Sequence, residues 1–274
     1  MVGFSAHPRI PLIEVNFYFL GSIGSDRARL HLTLQTSSKR FSPSIETLRY
    51  FILMFCGTDS RKARALTLSL WLVEVLFLIA KMIHHLPLLN STARHRIISD
   101  LALLVLPQSP FFTPIMKTGT PFQYEMTNCG ELGWVSDTQG YRYTRHHPLT
   151  LEAWAMLPDS ILAVINFLKL QGYLCPSFQP ETCLVNKYLP GQKLGLHQDK
   201  TEKDHCSPIV SISLGAPGIF VLGGQNRTDP KTDILLTPGD VLIMDECDRL
   251  RYHGFKGITE GTKRINLTIR QVKT

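Results

Sequence analysis

From Arg264 to Arg270 polar and apolar residues alternate without a break: Arg, Ile, Asn, Leu, Thr, Ile, Arg. A period of two predicts one strand, with Arg264, Asn266, Thr268 and Arg270 on one face and Ile265, Leu267 and Ile269 on the other. Short runs of similar character, broken by turn residues, predict further strands at 182–189, 194–198, 208–214, 218–222, 233–236, 240–244 and 250–254, and the last strand extends to 272. Eight short strands at this spacing predict a double-stranded β-helix, or jelly roll, a mainly β fold with flanking helices. Earlier in the chain the period changes. Asn90, Ser91 and Thr92 supply capping residues before an amphipathic stretch at 93–106 with Ile97, Ile98, Leu101 and Leu104 at helical spacing. A second helix is predicted at 160–170 from Ile161, Val164, Ile165 and Leu168, with Gly172 as its stop.

Between the two helices, 107–121 is rich in Pro, Thr and Gly and reads as an irregular connection. Residues 122–143 read as a hairpin-like lid with Trp134 near its turn and Tyr141 and Tyr143 alternating on one strand. The first 75 residues form an extension of unclear structure, followed by one domain at 76–274 with the lid at about 120–145 and the jelly-roll core at about 180–274. The run at 65–80 is mostly apolar but holds Glu74 and is only 16 residues long, where a bilayer span takes about 20. A buried element is therefore favoured over a membrane anchor. The early residues also lack a basic stretch leading directly into an apolar core, which argues against a cleavable secretory signal.

Charge changes the picture little. The chain carries +7, but residues 1–70 hold nine Lys and Arg against four Asp and Glu, so +5 sits there and +2 in the remainder. A basic pI is then weak support for nucleic-acid binding, which has to be argued from the site. The six cysteines, Cys56, Cys129, Cys175, Cys183, Cys206 and Cys247, form no Cys-x-x-Cys pair. That spacing suggests neither a zinc ribbon nor a disulfide scaffold and fits a reducing cytoplasm.

Candidate chemistry lies in Leu-His-Gln-Asp-Lys and Arg-Tyr-His-Gly. His197 and Asp199, two apart in an extended chain, point to the same side, and His253 would return from a distant strand. Two imidazoles and a carboxylate can hold one face of a six-coordinate Fe(II), leaving positions for a bidentate cosubstrate and dioxygen. Arg264 and Arg270 on one buried face need anions, and a dicarboxylate such as 2-oxoglutarate would meet both. A cupin would share the architecture but offers His-rich ligation and no paired arginines. His146, His147 and His205 are read as ordinary histidines.

His-x-Asp, a distant His and Arg-x-Asn-x-Thr-x-Arg together closely resemble the AlkB family of Fe(II)/2-oxoglutarate-dependent dioxygenases. The resemblance runs from about Pro107 to the C-terminus through Met126-Thr127-Asn128-Cys129-Gly130, Gly133-Trp134, Asn186-Lys187-Tyr188, Pro190-Gly191, Ser211-Ile212-Ser213-Leu214-Gly215 and Pro238-Gly239-Asp240. It implies that His197, Asp199 and His253 are the catalytic iron ligands and that Arg264 meets the distal carboxylate of 2-oxoglutarate. Arg270 would then lie near its chelating end, with Asn186, Tyr188 and Asn266 completing the cosubstrate contacts. It also implies a nucleotide-recognition lid, a base flipped out of the stack between Trp134 and His197, and Tyr141, Tyr143, Thr201 and Arg227 near the substrate. The implied reaction is oxidative demethylation of 1-methyladenine and 3-methylcytosine in single-stranded or duplex DNA, or in RNA, by a monomer without membrane or obligate protein partner. Thr201 departs from the family's His-x-Asp-Lys-Asp, so the charge that would face a cationic base is missing. Two other classes stay open: a dioxygenase of this fold acting on a substrate other than nucleic acid, against which the Trp134 lid argues, and a binding module that has lost catalysis, against which the intact ligand set argues.

Overall fold

The computed structural model describes residues 83–202 and 205–272, with backbone alone at Glu14–Phe17, Leu32–Gln35 and 246–247. Strands β1 (Glu14–Phe17) and β2 (Leu32–Gln35) pair antiparallel, Glu14 opposite Gln35, in a unit spanning His7–Ala80. The apolar run at 65–80 lies outside the described residues. All other described elements belong to the unit that includes Lys81–Thr274.

All eight strands expected after residue 180 form: β7 (Thr182–Tyr188), β8 (Leu194–His197), β9 (Ile209–Gly215), β10 (Gly218–Leu222), β11 (Thr232–Leu236), β12 (Asp240–Met244), β13 (His253–Ile258) and β14 (Arg264–Arg270). They divide equally between two antiparallel sheets, which is the jelly roll. The minor sheet has the order β11-β10-β13-β8. In the major sheet β12-β9-β14-β7 are flanked by β3 (His84–Pro87) and β4 (Glu125–Gly130). One start is displaced. The chain at Glu246–Leu250 coils into a 3-10 turn, so the strand expected from residue 250 begins only at His253.

Helices α1 (Ser91–Asp100) and α2 (Asp159–Leu170) cover the outer face of the major sheet. Ile97, Ile161, Ile165 and Leu168 pack there against Val210, Ile212, Val241, Ile243, Leu267 and Ile269. Fully burying such a side chain contributes roughly 1.5–3 kcal/mol, so this layer fixes the parity of the sheet. Once Leu267 and Ile269 face the helices, Arg264, Asn266, Thr268 and Arg270 must face the interior of the roll.

Asn90 caps α1, accepting from the Ala93 amide at 2.9 Å, a contact that typically stabilises by about 1 kcal/mol. The helix then widens into a π-helical turn at Leu101–Val105. The buried stripe is Ala93, Ile97, Leu101 and Val105, spaced by four, so Ile98 and Leu104, expected on the apolar face, stand exposed. Gly172, at φ +76°, ends α2 in a conformation that costs other residues more. No helix among the described residues is long and apolar enough to cross a membrane.

The stretch expected as a single lid is divided. β4 is an edge strand of the major sheet, with Cys129 opposite Cys183. Only β5 (Gly133–Asp137) and β6 (Gly140–Thr144) form a separate hairpin, in which Trp134 pairs with Tyr143 rather than lying at the turn. Trp154 holds the open end of this hairpin. Its indole lies so close to Gly133 that a Cβ there would come within 2.2 Å of the ring, and its Nε1 donates to the Thr144 carbonyl at 2.9 Å.

Candidate active site

Pairing of β13 with β8 places His253 directly opposite His197, with ring centroids 4.3 Å apart. β8 ends at His197, and Asp199 follows in the loop. Between them, Gln198 donates from Nε2 to the Leu250 carbonyl at 2.5 Å, which ties that loop to the turn preceding β13. One ligand atom from each of His197, Asp199 and His253 lies within 4.8 Å of the others, so the three could hold a single metal ion. The imidazoles are prepared for it. Nδ1 of His197 donates to the Gly195 carbonyl and Nδ1 of His253 to the Arg251 carbonyl, both at 2.9 Å. A carbonyl can only accept, so Nδ1 of each ring carries a proton, and Nε2 is the nitrogen turned towards Asp199, each 3.7 Å from a carboxylate oxygen. Burial, then the neighbouring His197, pulls the pKa of His253 down to about 4, so this ring is neutral near pH 7. Burial would raise the Asp199 carboxyl, but the Arg270 guanidinium beside it is the largest opposing influence and holds the carboxylate charged, below its usual range.

A cavity of about 810 Å³ opens from this cluster into the roll. Its wall includes the polar face of β14, together with Asn186 and Tyr188 of β7. Arg264 lies at the end of this face, 1% exposed. Its Nη1 donates to the Ala216 and Leu236 carbonyls at 3.1 and 3.4 Å, and its Nη2 to Ser213 Oγ at 2.7 Å and Asn266 Oδ1 at 3.3 Å. These acceptors are all neutral. Among the described residues no carboxylate forms an ion pair with Arg264, its Nε has no partner, and burial pulls its pKa down to about 10. Asn186 Oδ1 is likewise buried and unpartnered. Tyr188 packs its ring between Tyr124 and Phe255, with centroids at 5.0 and 4.7 Å. A buried cation facing an open cavity without a counter-ion is a site for an anionic ligand.

Arg270 is different, and here the sequence argument needs correction. Both arginines were expected to lack an anion of the protein's own, and among the described residues only Arg264 does. Arg270 donates from Nη2 to Asp199 Oδ2 at 2.7 Å and from Nη1 to Glu202 Oε1 at 2.8 Å. Neither Glu202 nor Arg249, which pairs with it at 2.9 Å, stands out in the sequence. Both are fully buried, and they meet from loops far apart in sequence, so no periodicity marks them. The signal available was only a carboxylate three residues after Asp199.

The hairpin contributes the cavity's outer wall. Trp134 and Tyr141 lie against each other with centroids 5.5 Å apart and planes 31° apart, and Asn128 fixes the Trp134 backbone by two hydrogen bonds of 3.0 and 3.1 Å. Thr201 and Arg227 also line the cavity. The Arg227 guanidinium lies 5.6 Å over the Tyr252 ring and donates to the Leu196 carbonyl at 3.0 Å. Tyr143, expected beside the substrate, does not line the cavity. Its ring turns inward, and its hydroxyl donates to Glu202 and accepts from Arg270.

Sequence comparison agrees with this geometry. The family model of the 2OG-Fe(II) oxygenase superfamily matches residues 82–270. The alpha-ketoglutarate-dependent dioxygenase AlkB of Salmonella typhimurium is 43% identical over 186 residues, covering 65% of this chain and 85% of that protein. The human nucleic acid dioxygenase ALKBH1 is 38% identical over 131 residues, 45% of this chain and 31% of its own length. The solved structure of OsALKBH1 superimposes with a TM-score of 0.53 at 29% identity, over 66% of this chain and 92% of that one. With the jelly roll, the match of its whole length from β3 to β14, and the bacterial relatives all in agreement, the chain belongs to the 2OG-Fe(II) oxygenase superfamily and, within it, to the AlkB family of Fe(II)/2-oxoglutarate-dependent dioxygenases.

Proposed function

We propose that this enzyme removes N-methyl groups from bases such as 1-methyladenine and 3-methylcytosine in DNA or RNA, releasing formaldehyde. The observation that carries the reading is the aromatic wall of Trp134 and Tyr141 on the same cavity as the His197–Asp199–His253 cluster, since base-sized planes stack on such rings. The names of relatives, a nucleic acid dioxygenase among them, point the same way.

The residues fit the cofactors the family uses. Two imidazole Nε2 atoms and a charged carboxylate make a facial set for Fe(II), and the anion-poor environment of Arg264 suits the far carboxylate of 2-oxoglutarate. With iron, 2-oxoglutarate and O2 bound, the centre supplies oxidation of a C–H bond coupled to decarboxylation of the cosubstrate to succinate and CO2. The chain supplies position. Arg264 orients the cosubstrate, with Asn186, Tyr188 and Asn266 beside it. Arg270 holds Asp199. Trp134 and His197 bracket the base, and Arg227, fixed over Tyr252 at the cavity wall, offers its charge to the phosphate backbone. Thr201 lines the base pocket without charge. The catalytic domain is taken as residues 76–274, with 1–75 an extension, and the protein as a cytoplasmic monomer; free Cys129, Cys175, Cys183 and Cys206 are compatible with a reducing compartment.

The test is incubation with Fe(II), 2-oxoglutarate, O2 and a single-stranded oligonucleotide carrying 1-methyladenine. Formaldehyde and succinate should form in equal amounts, and His253→Ala should lower both by about a thousandfold or more, on the order of 4 kcal/mol. Succinate without formaldehyde from any methylated oligonucleotide would move the substrate outside nucleic acids, and full activity of His253→Ala would remove the ligand assignment.

A further inference from the structure

Glu202 is fully buried, and its two oxygens serve different parts of the molecule. Oε2 accepts from Arg249 Nη2 at 2.9 Å. Oε1 accepts from Arg270 Nη1 at 2.8 Å and from the Tyr143 hydroxyl of the lid hairpin. Arg270 continues the chain to Asp199 through its other nitrogen at 2.7 Å. Arg249 is anchored in turn by the Ser207 carbonyl at 2.6 Å. Two carboxylates and two guanidinium groups are thereby enclosed with balanced charge. A buried set of this kind tolerates the loss of both members of a pair better than the loss of one.

We infer that Glu202 is a positioning residue that fixes the lid hairpin and the Asp199 carboxylate at once. This rests on the reading of His197, Asp199 and His253 as metal ligands. Arg270 shares its guanidinium between Glu202 and Asp199, so Oδ2 of Asp199 is held at 2.7 Å while it lies 3.7 Å from His253 Nε2, and Oδ1 lies 3.7 Å from His197 Nε2. Without the Glu202 charge, Arg270 and Arg249 leave the cluster one positive charge in excess beside a site for a dication, and Arg270 is free to draw Asp199 away. Tyr143 carries the same network into β6. Its hydroxyl ties the hairpin to the cluster one residue from the open end that Trp154 secures at Gly133 and Thr144. The hairpin bearing Trp134 is therefore pinned at its open end both by packing and by a charged network that ends on a metal ligand.

The experiment uses the full chain, made metal-free and titrated with Co(II), whose visible spectrum reports both affinity and ligand geometry. Glu202→Gln should weaken Co(II) binding at least tenfold and alter the spectrum. Glu202→Gln/Arg249→Met, which restores charge balance by removing both partners, should return affinity to within about threefold of wild type, an outcome that a purely structural role does not give. Tyr143→Phe should accelerate amide hydrogen exchange across residues 133–144 at least tenfold. A wild-type protein that binds no Co(II) would remove the metal-site reading itself. Wild-type binding with Glu202→Gln equal to it overturns this inference alone. If Glu202→Gln does not fold, the double variant decides: affinity well below wild type overturns the charge-balance account. Unchanged exchange in Tyr143→Phe overturns the tie to the lid.

Discussion

Arg264 and Arg270 sit at opposite ends of β14, on the same face and both buried, yet Arg270 is met by Asp199 and Glu202 while Arg264 meets only neutral oxygens. Burial lowers the pKa of both; at Arg270 the surrounding carboxylates and Tyr143 reverse the direction, and at Arg264 nothing does so fully. The contrast separates scaffold from binding site. Where the protein supplies the counter-ion, the guanidinium is a structural member, and where it withholds one, the free energy of completing the pair is left for a ligand.

Substitution at the two ends should therefore give opposite profiles. Arg264→Met is expected to raise the 2-oxoglutarate requirement by about a hundred- to several-thousandfold, on the order of 3–5 kcal/mol, because the cosubstrate carboxylate loses its partner. The urea midpoint of the ligand-free protein should move by less than about 1 kcal/mol in free energy, lost neutral hydrogen bonds offsetting relieved desolvation. Arg270→Met should show the reverse, costing about 3–5 kcal/mol of ligand-free stability by leaving Asp199 without its guanidinium partner and Glu202 with Arg249 alone. Equal denaturation midpoints for the two variants would erase the distinction.

A smaller effect comes from pH. The folded His253 protonates at about 4 and the unfolded ring at its ordinary 6.5, so the unfolded chain takes up the proton first. Its contribution to stability is complete above pH 6.5 and is lost as pH falls towards 4, by roughly 3 kcal/mol. Differential scanning calorimetry of metal-free wild type against His253→Gln should show a difference in Tm that shrinks across that window; a difference independent of pH would mean the ring is already charged in the fold. The smallest effect is expected at Thr201. A carboxylate there would attract cationic lesions, so Thr201→Asp should favour 1-methyladenine over 1-methylguanine by about 1–2 kcal/mol relative to wild type. Competitive repair in one oligonucleotide, followed by mass spectrometry, reads the ratio, and equal ratios would show that position 201 does not read the base.

The strand from Arg264 to Arg270 was legible because alternation is a local property, and so were α2 and the His-x-Asp pair. What the sequence concealed depends on tertiary meetings. Nothing near residue 202 or 249 announces that those side chains face each other, and without them Arg270 looks as needy as Arg264. Tyr143 alternates with Tyr141 as expected, but alternation says only that both lie on one face of β6; it does not decide whether a ring reaches the cavity or passes behind it to Glu202. The 3-10 turn at Glu246–Leu250 and the π-turn after α1 were hidden for a related reason, since both are set by how the chain packs rather than by its hydrophobic period.

The register that sets His253 opposite His197 also bears on when the site comes into being. A slip of one residue would turn His253 to the other side of the minor sheet. The two strands are distant in sequence, so closing the intervening loop must be repaid by sheet pairing before the imidazoles can meet, and the unfolded chain holds no preformed ligand set. Iron then meets a finished fold. Its binding is expected to lengthen the lifetime of the native state while leaving the refolding rate nearly unchanged, so a chelator would act on how the protein comes apart and hardly at all on how it is made.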